Sequence, residues 1–374
     1  MIKNIFTNVY NADMVYFCSK ILSGGIGLTR VVTIGSATMD VFVECDDANI
    51  VSVCTKNKSA DFMSYPYGSK IDISTFSSNV GGGGVNTACN FGNLGFDTSA
   101  IFKIGKDFYA DGILDYFKKQ NVKLDYIIQD KNASTGFSVI LVSFQGDRTV
   151  LAHRGANSEI KKNEINFDAI KNADFMYVAP LNGDSNKVIE PIVKFAKDCH
   201  TNICFNAGTT SLKKGYKHLK PILESAHIVV MNREEAAMAT GIVVRPDTKT
   251  EKFSKEIIHP DIKEMLKSLK IKDYQVIVIT DGNKGAYAYD GNKFYFCETF
   301  PSEVVSTLGA GDAFASTFCA AMHKTKIDIG KSLMYASVNS ASVVSKFGAT
   351  EGLLNFKQIE KKLKENPQFT YLQV

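Results

Sequence analysis

Six residues from Arg30, Arg-Val-Val-Thr-Ile-Gly, make a β-branched apolar run closed by glycine, a pattern that predicts a buried central strand. It leads into Ser36-Ala37-Thr38-Met39-Asp40-Val41-Phe42-Val43. Residues 45–78 lose the pattern. They are polar and irregular, with turn residues at Tyr65-Pro66-Tyr67-Gly68-Ser69, and predict loops and short strands outside the main core. After Gly81-Gly82-Gly83-Gly84, small and apolar residues from Val85 to Leu94 return at helical spacing. That places the glycines at a helix N-terminus, where backbone can approach a ligand closely. Two apolar runs, 136–142 and 149–153, flank Gln145-Gly146-Asp147-Arg148 and read as a β-hairpin.

From about residue 170 strands and helices alternate. Strands are predicted at 175–178, 202–205, 228–231 and 275–280, and helices near 188–199, 217–225 and 262–269. Two late helices follow, one after Gly311 and one across 331–345. This order predicts an α/β fold, a mainly parallel sheet sandwiched by helices, with a small β appendage drawn from two early segments. The polar stretch 243–259 reads as a surface insertion.

Composition narrows the class. Of the 374 residues, 45% are hydrophobic and 22% charged, which excludes a disordered or fibrous chain. The net charge of +4 comes without a concentrated basic stripe, so nucleic acid is not the expected partner. No run approaches the roughly 20 apolar residues that span a membrane. Eight scattered cysteines show no C-x-x-C pair and no zinc spacing, and predict buried thiols in a cytoplasmic protein. Residues 1–29 read as an N-terminal extension, because the apolar piece from Met14 to Cys18 is short and follows Asp13, unlike a secretory signal.

The sharpest chemical signal is Thr307-Leu308-Gly309-Ala310-Gly311-Asp312-Ala313-Phe314. A glycine-rich turn opens a helix there and sets one carboxylate in its first turn. The N–H groups of such a terminus bind anions such as a phosphoryl group, and Asp312 could take the proton of an attacking hydroxyl. The plainer reading is a helix cap on a tight turn.

Other segments decide between the two. Gly81-Gly82-Gly83-Gly84-Val85-Asn86, Asn232-Arg233-Glu234-Glu235-Ala236, Thr280-Asp281-Gly282-Asn283-Lys284-Gly285 and Ser306-Thr307-Leu308-Gly309-Ala310-Gly311-Asp312 resemble the signatures of the ribokinase, or PfkB, family of carbohydrate and nucleoside kinases. They stand in the family's order and spacing, from about Arg30 to about Phe356. The resemblance implies a three-layer α/β/α kinase domain over 30–374, with a small β lid from segments at about 41–78 and 134–155. It implies ATP and Mg²⁺ as cofactors and a sugar or nucleoside as the small-molecule partner. Asp312 falls on the catalytic base, and the backbone of Gly309, Ala310 and Gly311 on the anion hole. Substrate contacts fall on Asp40, Gly81, Gly82 and Asn86, and on Asp147, which a hairpin turn would equally favour. Nucleotide contacts fall on Asn232, Thr280, Gly282, Gly285, Asn339 and Gly348, although Asn339 also fits plain helix packing. Glu235 falls on the Mg²⁺ site, acting through water. A homodimer through the lid is a mild implication.

The departures carry information. Ser306 stands where relatives often place an aspartate that holds a monovalent cation, which puts K⁺ activation in doubt. Thr38 and Gly83 replace an asparagine and a lysine that ribose kinases tend to show. In Phe205-Asn206-Ala207-Gly208 an alanine replaces a common proline. A sugar kinase is the first reading and a nucleoside kinase the second, with Tyr65, Tyr67 and Phe137 as candidates to stack on a base. A non-catalytic sugar sensor stays open. The glycines do not follow the first strand as G-x-G-x-x-G, which argues against a dinucleotide-dependent oxidoreductase.

Overall fold

The computed structural model describes residues 28–44, 48–55, 58–143, 148–243, 245 and 258–374. Asp147 and most of the stretch 243–259 lie outside the described residues, as do residues 1–27. The chain opens with strand β1 (Arg30–Ile34), then β2 (Thr38–Glu44), a hairpin of β3 (Asn49–Thr55) and β4 (Lys58–Ser64), and β5 (Thr75–Gly81). Helix α1 (Gly83–Asn93), β6 (Asp97–Ile101), β7 (Lys103–Ile104), helix α2 (Phe108–Phe117), β8 (Val122–Lys123) and β9 (Ile128–Gln129) follow. The predicted hairpin is β10 (Gly136–Val142) with β11 (Arg148–His153).

The alternating half runs α3 (Phe167–Lys171), β12 (Phe175–Val178), α4 (Ile189–Asp198), β13 (Asn202–Asn206), α5 (Thr209–Lys213), α6 (Tyr216–Leu223), β14 (Ile228–Asn232), α7 (Arg233–Thr240), α8 (Pro260–Leu269) and β15 (Val276–Thr280). It closes with β16 (Ala286–Tyr289), β17 (Phe294–Cys297), α9 (Ala310–Lys324), α10 (Ile329–Val344), α11 (Phe356–Glu365) and β18 (Tyr371–Gln373). Ten strands join in the order β18-β17-β16-β15-β14-β13-β12-β1-β6-β8. The stretch from β15 to β8 is parallel and β16 to β18 add antiparallel. The parallel strands are apolar on both faces, since helices cover both. One core packs α3 to α8 against Ile203, Phe205, Val229 and Ile277; the other packs α1, α9, α10 and α11 against Tyr177, Cys204, Val230 and Val278.

Helix α9 departs from the usual one-sided pattern. Every residue from Ala313 to Met322 is buried, because Ala, Ser, Thr and Cys let the sheet, α1 and α10 approach from different sides. A buried polar cluster fixes its position: Asn90 of α1 donates to Ser316 Oγ at 2.7 Å and Thr317 Oγ1 at 2.8 Å. Asn339 of α10 donates to Asn90 Oδ1 and to Thr317 Oγ1, and accepts from the Leu354 N–H. Asn339, one of the expected nucleotide contacts, is thus fully buried and spends its amide on helix packing. The expectation of eight thiols is also corrected. Cys204 of β13 and Cys319 of α9 form a disulfide 115 residues apart in sequence, a pairing set by sheet-to-helix packing and invisible to sequence spacing.

A second sheet, β11-β10-β2-β5, stands apart from the first. Its strands place Ser138, Asp40 and Asn79 in register as neighbours across β10, β2 and β5, so their side chains share one face. The Asn157 amide ties this sheet to the body by bonding both the N–H and the C=O of Ala37. Nearby, the fully buried Lys103 ammonium pairs with Asp130 at 3.0 Å and Glu164 at 2.8 Å.

Candidate active site

The carboxyl ends of the parallel strands and the N-terminus of α9 converge on one cleft. Gly309 is the N-cap of α9 with φ 76°, and a Cβ there would stand 2.6 Å from the Ala349 side chain and 2.7 Å from its backbone. Only glycine makes this turn. The turn presents Asp312, whose Oδ2 accepts from Asn86 Nδ2 at 2.8 Å. Burial pushes the Asp312 carboxyl above its ordinary range, and the Asn86 bond only partly offsets this. Neither residue caps a helix with its side chain. Instead they hold each other across α1 and α9, and Asn86 Oδ1 is left buried without a partner. A Cβ on Gly83 would lie 3.5 Å from Asp312 Oδ1, so the glycine run leaves the approach to the carboxylate open.

A cavity of 220 Å³ beside Asp312 is lined by Asn206, Asn232, Glu235, Thr280, Gly309 and Gly311. Asn232 and Glu235 form a reciprocal capping box at the start of α7, with Asn232 Oδ1 accepting from the Glu235 N–H at 2.8 Å and Glu235 Oε2 from the Asn232 N–H at 2.9 Å. Their plain structural role is therefore real. Yet the Glu235 carboxyl is pushed up to about 7 by burial, with Glu234 and Asp312 adding repulsion against the lowering bond from Asn232. Through Thr280 and Gly311 this cavity adjoins a second, of 590 Å³, lined by Gly282, Gly285, Ala310, Ser337 and Ala341 among others. A Cβ on Gly311 would meet nothing within 4 Å, so space lies open above the anion-binding turn.

At the lid end, Asp40 is buried and in register with Asn79. Burial raises its carboxyl pKa, and hydrogen bonds from Ser138 and Thr38 pull it back. Gly81 lies directly against the Asp40 carboxylate, and Gly82 is the N-cap of α1.

The predicted residues thus fall into groups. Asp312, Gly309 and Gly311 gather with Asn232, Glu235 and Thr280 at the smaller cavity, and Gly282, Gly285 and Ala310 line the larger one. Asn339 does neither. Gly348 lies instead near Asn79 of the lid and Glu351. Two of the three aromatic candidates for base stacking do not gather there either. Phe137 packs on Tyr109 with ring centres 4.8 Å apart, on the face opposite Ser138, and Tyr67 is fully exposed. Sequence reasoning passed over Asn206, which ends β13 next to the substituted Ala207, and Tyr177, buried beneath it. The signal available was position: both stand at the carboxyl ends of parallel strands, where open α/β sheets bind ligands.

A helix N-terminus at a glycine turn, a desolvated carboxylate and a roomy cavity at the carboxyl ends of parallel strands are the arrangement a phosphotransferase of the α/β class needs. The family described as pfkB family carbohydrate kinase matches residues 29–355, and the chain belongs to it. A ribokinase of Staphylococcus aureus is 28% identical over 285 residues, which cover 75% of this chain and 87% of that protein. Among solved structures, Arabidopsis thaliana ribokinase complexed with ribose and ATP superposes with a TM-score of 0.68 at 20% identity, covering 90% of this chain and 99% of that one. A nucleoside kinase of Methanocaldococcus jannaschii gives 0.68 at 18% identity, covering 91% and 100%. No helix among the described residues is long and apolar enough to cross a membrane.

Proposed function

We propose that this chain transfers the terminal phosphate of ATP to a hydroxyl of a small sugar or sugar derivative, with Asp312 as the base. The observation that carries this reading is the bond between Asn86 and Asp312. It orients the carboxylate at the mouth of an anion-binding turn and leaves Asn86 Oδ1 unpaired toward an acceptor hydroxyl.

The acceptor hydroxyl lies between the lid row and Asp312, and its proton passes to the Asp312 carboxylate as the oxygen attacks phosphorus. The N–H groups of the first turn of α9 receive the charge that develops on the phosphoryl oxygens. Asp40 accepts hydrogen bonds from neighbouring hydroxyls, and its buried carboxylate makes those bonds selective for a polyhydroxylated ligand. A nucleoside is the second choice, because Phe137 and Tyr67 supply no stacking surface on the Asp40 face.

On donor chemistry Mg²⁺ fits the cavity between Glu235 and Asn232. No group of three or more His, Cys, Asp or Glu side chains among the described residues gathers to hold a metal alone, which suits an ion that keeps most of its waters. Bound there, it would neutralise charge on the phosphates.

Two outcomes test this reading. Asp40→Asn should raise KM for the accepted sugar by about 10- to 100-fold, the loss of one or two charge-assisted bonds, while KM for ATP stays unchanged; equal changes in both would reject the assignment. The second concerns pH. The Glu235 carboxyl titrates at about 7 against an ordinary 4.5, so its contribution to stability is full below 4.5 and is lost as pH rises through 7. A bound cation favours the carboxylate. Mg²⁺ should therefore raise the melting temperature more at pH 8 than at pH 5.5, and Glu235→Gln should remove the difference. An identical Mg²⁺ effect at both pH values in the native protein speaks against the site.

A further inference from the structure

Tyr177 is fully buried; the polar side chain set against its hydroxyl is Asn206, although the pair falls short of full hydrogen-bond geometry. The ring sits in the apolar cluster under α9, 5.8 Å from the Phe91 ring. A phenylalanine would fill the same space without burying a hydroxyl, which native cores keep only where a polar partner stands beside it. The strand register shows where the hydroxyl belongs. Tyr177 pairs with Cys204 on β13, so Tyr177, Cys204 and Asn206 point to the same face of the sheet. Asn206 is half-buried and reaches the transfer cavity that Asp312, Asn232 and Gly311 also line. Its amide is the polar group beside the Tyr177 hydroxyl, with Asp312 and Glu235 also within electrostatic reach of the ring.

We propose that Tyr177 is a positioning residue: its hydroxyl donates to the Asn206 amide oxygen and so turns the Asn206 N–H groups into the transfer cavity, where they bind the terminal phosphate of the nucleotide. Exchanging the two ends of the half-buried Asn206 amide, which have nearly the same shape, sets the oxygen toward Tyr177. The orientation matters because an amide can present either end. With the oxygen facing the cavity, Asn206 would repel the phosphate; with the oxygen held by Tyr177, only donors face it. The electronegative surroundings of Asp312 and Glu235 need such donors, since a phosphate entering beside two carboxylates meets repulsion that the α9 turn and a cation at Glu235 must otherwise offset. The inference rests on the kinase reading above and extends it to a residue that touches neither substrate.

The test needs no acceptor. Affinities of Mg-ATP and Mg-ADP are measured by titration calorimetry for the native chain, Tyr177→Phe, Asn206→Ala and the double variant, with melting temperatures alongside. Tyr177→Phe should weaken Mg-ATP about tenfold, the loss of a hydrogen bond to a charged group. It should leave Mg-ADP within twofold and the melting temperature unchanged or higher. The double variant should bind Mg-ATP no worse than Asn206→Ala alone, because the two residues act through one contact. Unchanged Mg-ATP affinity in Tyr177→Phe, equal losses for both nucleotides, or losses that multiply in the double variant each overturn the proposal and leave the kinase reading standing. A native chain that binds neither nucleotide overturns both.

Discussion

Asp312→Asn is expected to lower kcat by about 10²- to 10⁴-fold, the usual contribution of a positioned general base, with KM for ATP little changed. The amide has the same shape and can still meet Asn86, now 2.8 Å from the carboxylate, so the cleft should keep its form. What is lost is the ability to take a proton. The native carboxyl is held above its ordinary range by burial, and replacing it by a neutral group removes a desolvated charge. The melting temperature should therefore hold or rise at pH 8, which separates a chemical defect from a folding one. The raised value also shifts the acid limb of the kcat/KM profile above the ordinary aspartate range of the native group, because only the carboxylate accepts a proton. Steady-state kinetics with thermal denaturation decides the matter. A variant that retains native kcat would remove Asp312 from its role.

Gly309→Ala should fail for a different reason and lose both stability and activity. Its φ of 76° is left-handed, and the added methyl would collide with the side chain and backbone of Ala349. Left-handed backbone in a non-glycine residue costs on the order of 1–3 kcal/mol, and the collision adds to it. The loop around Ala349 must then move or the α9 turn must open. A drop in melting temperature of at least a few degrees is expected. A fall in kcat of tenfold or more should persist at temperatures where the variant is fully folded, because the same turn aims the anion-binding N–H groups. Gly311→Ala is the control for stability, since its Cβ would meet nothing within 4 Å. If Gly309→Ala melts like the native chain, the turn is not rigid in the way described.

The sequence made the alternating half readable because β12 to β15 are continuous apolar runs and α4, α6 and α8 carry one apolar face each. Boundaries at β12 agreed to the residue, and those of α4 and α6 shifted by a residue or two. The antiparallel strands β16 to β18 were not legible, since short runs such as Phe294 to Cys297 look alike at an edge or in a turn. At the site, Asp312, Asn86, Asn232 and Glu235 were named from motifs, and the structure brings Asp312 together with Asn86 in one bond and with the other two around one cavity. Asn339 kept two readings, nucleotide contact and helix packing, because a small polar residue on a helix reads the same whether it faces a ligand or a neighbouring helix. Burial settles which, and periodicity alone cannot when all sides are covered, as on α10. Tyr177 carried no motif at all; its interest comes from a buried hydroxyl set against Asn206, a property of three-dimensional packing.

The four-stranded sheet and the ten-stranded sheet have separate hydrogen-bond ladders, while Asp312 sits on a helix buried over ten consecutive residues. Under the proposed function, acceptor choice and phosphate chemistry are therefore written on parts of the chain that tolerate change very differently. Substitutions along the row of Ser138, Asp40 and Asn79 can explore new acceptors without disturbing the packing that aims Asp312. Changes along α9 meet the whole core at once. Such a division gives a lineage room to diversify its substrates while the transfer step stays fixed.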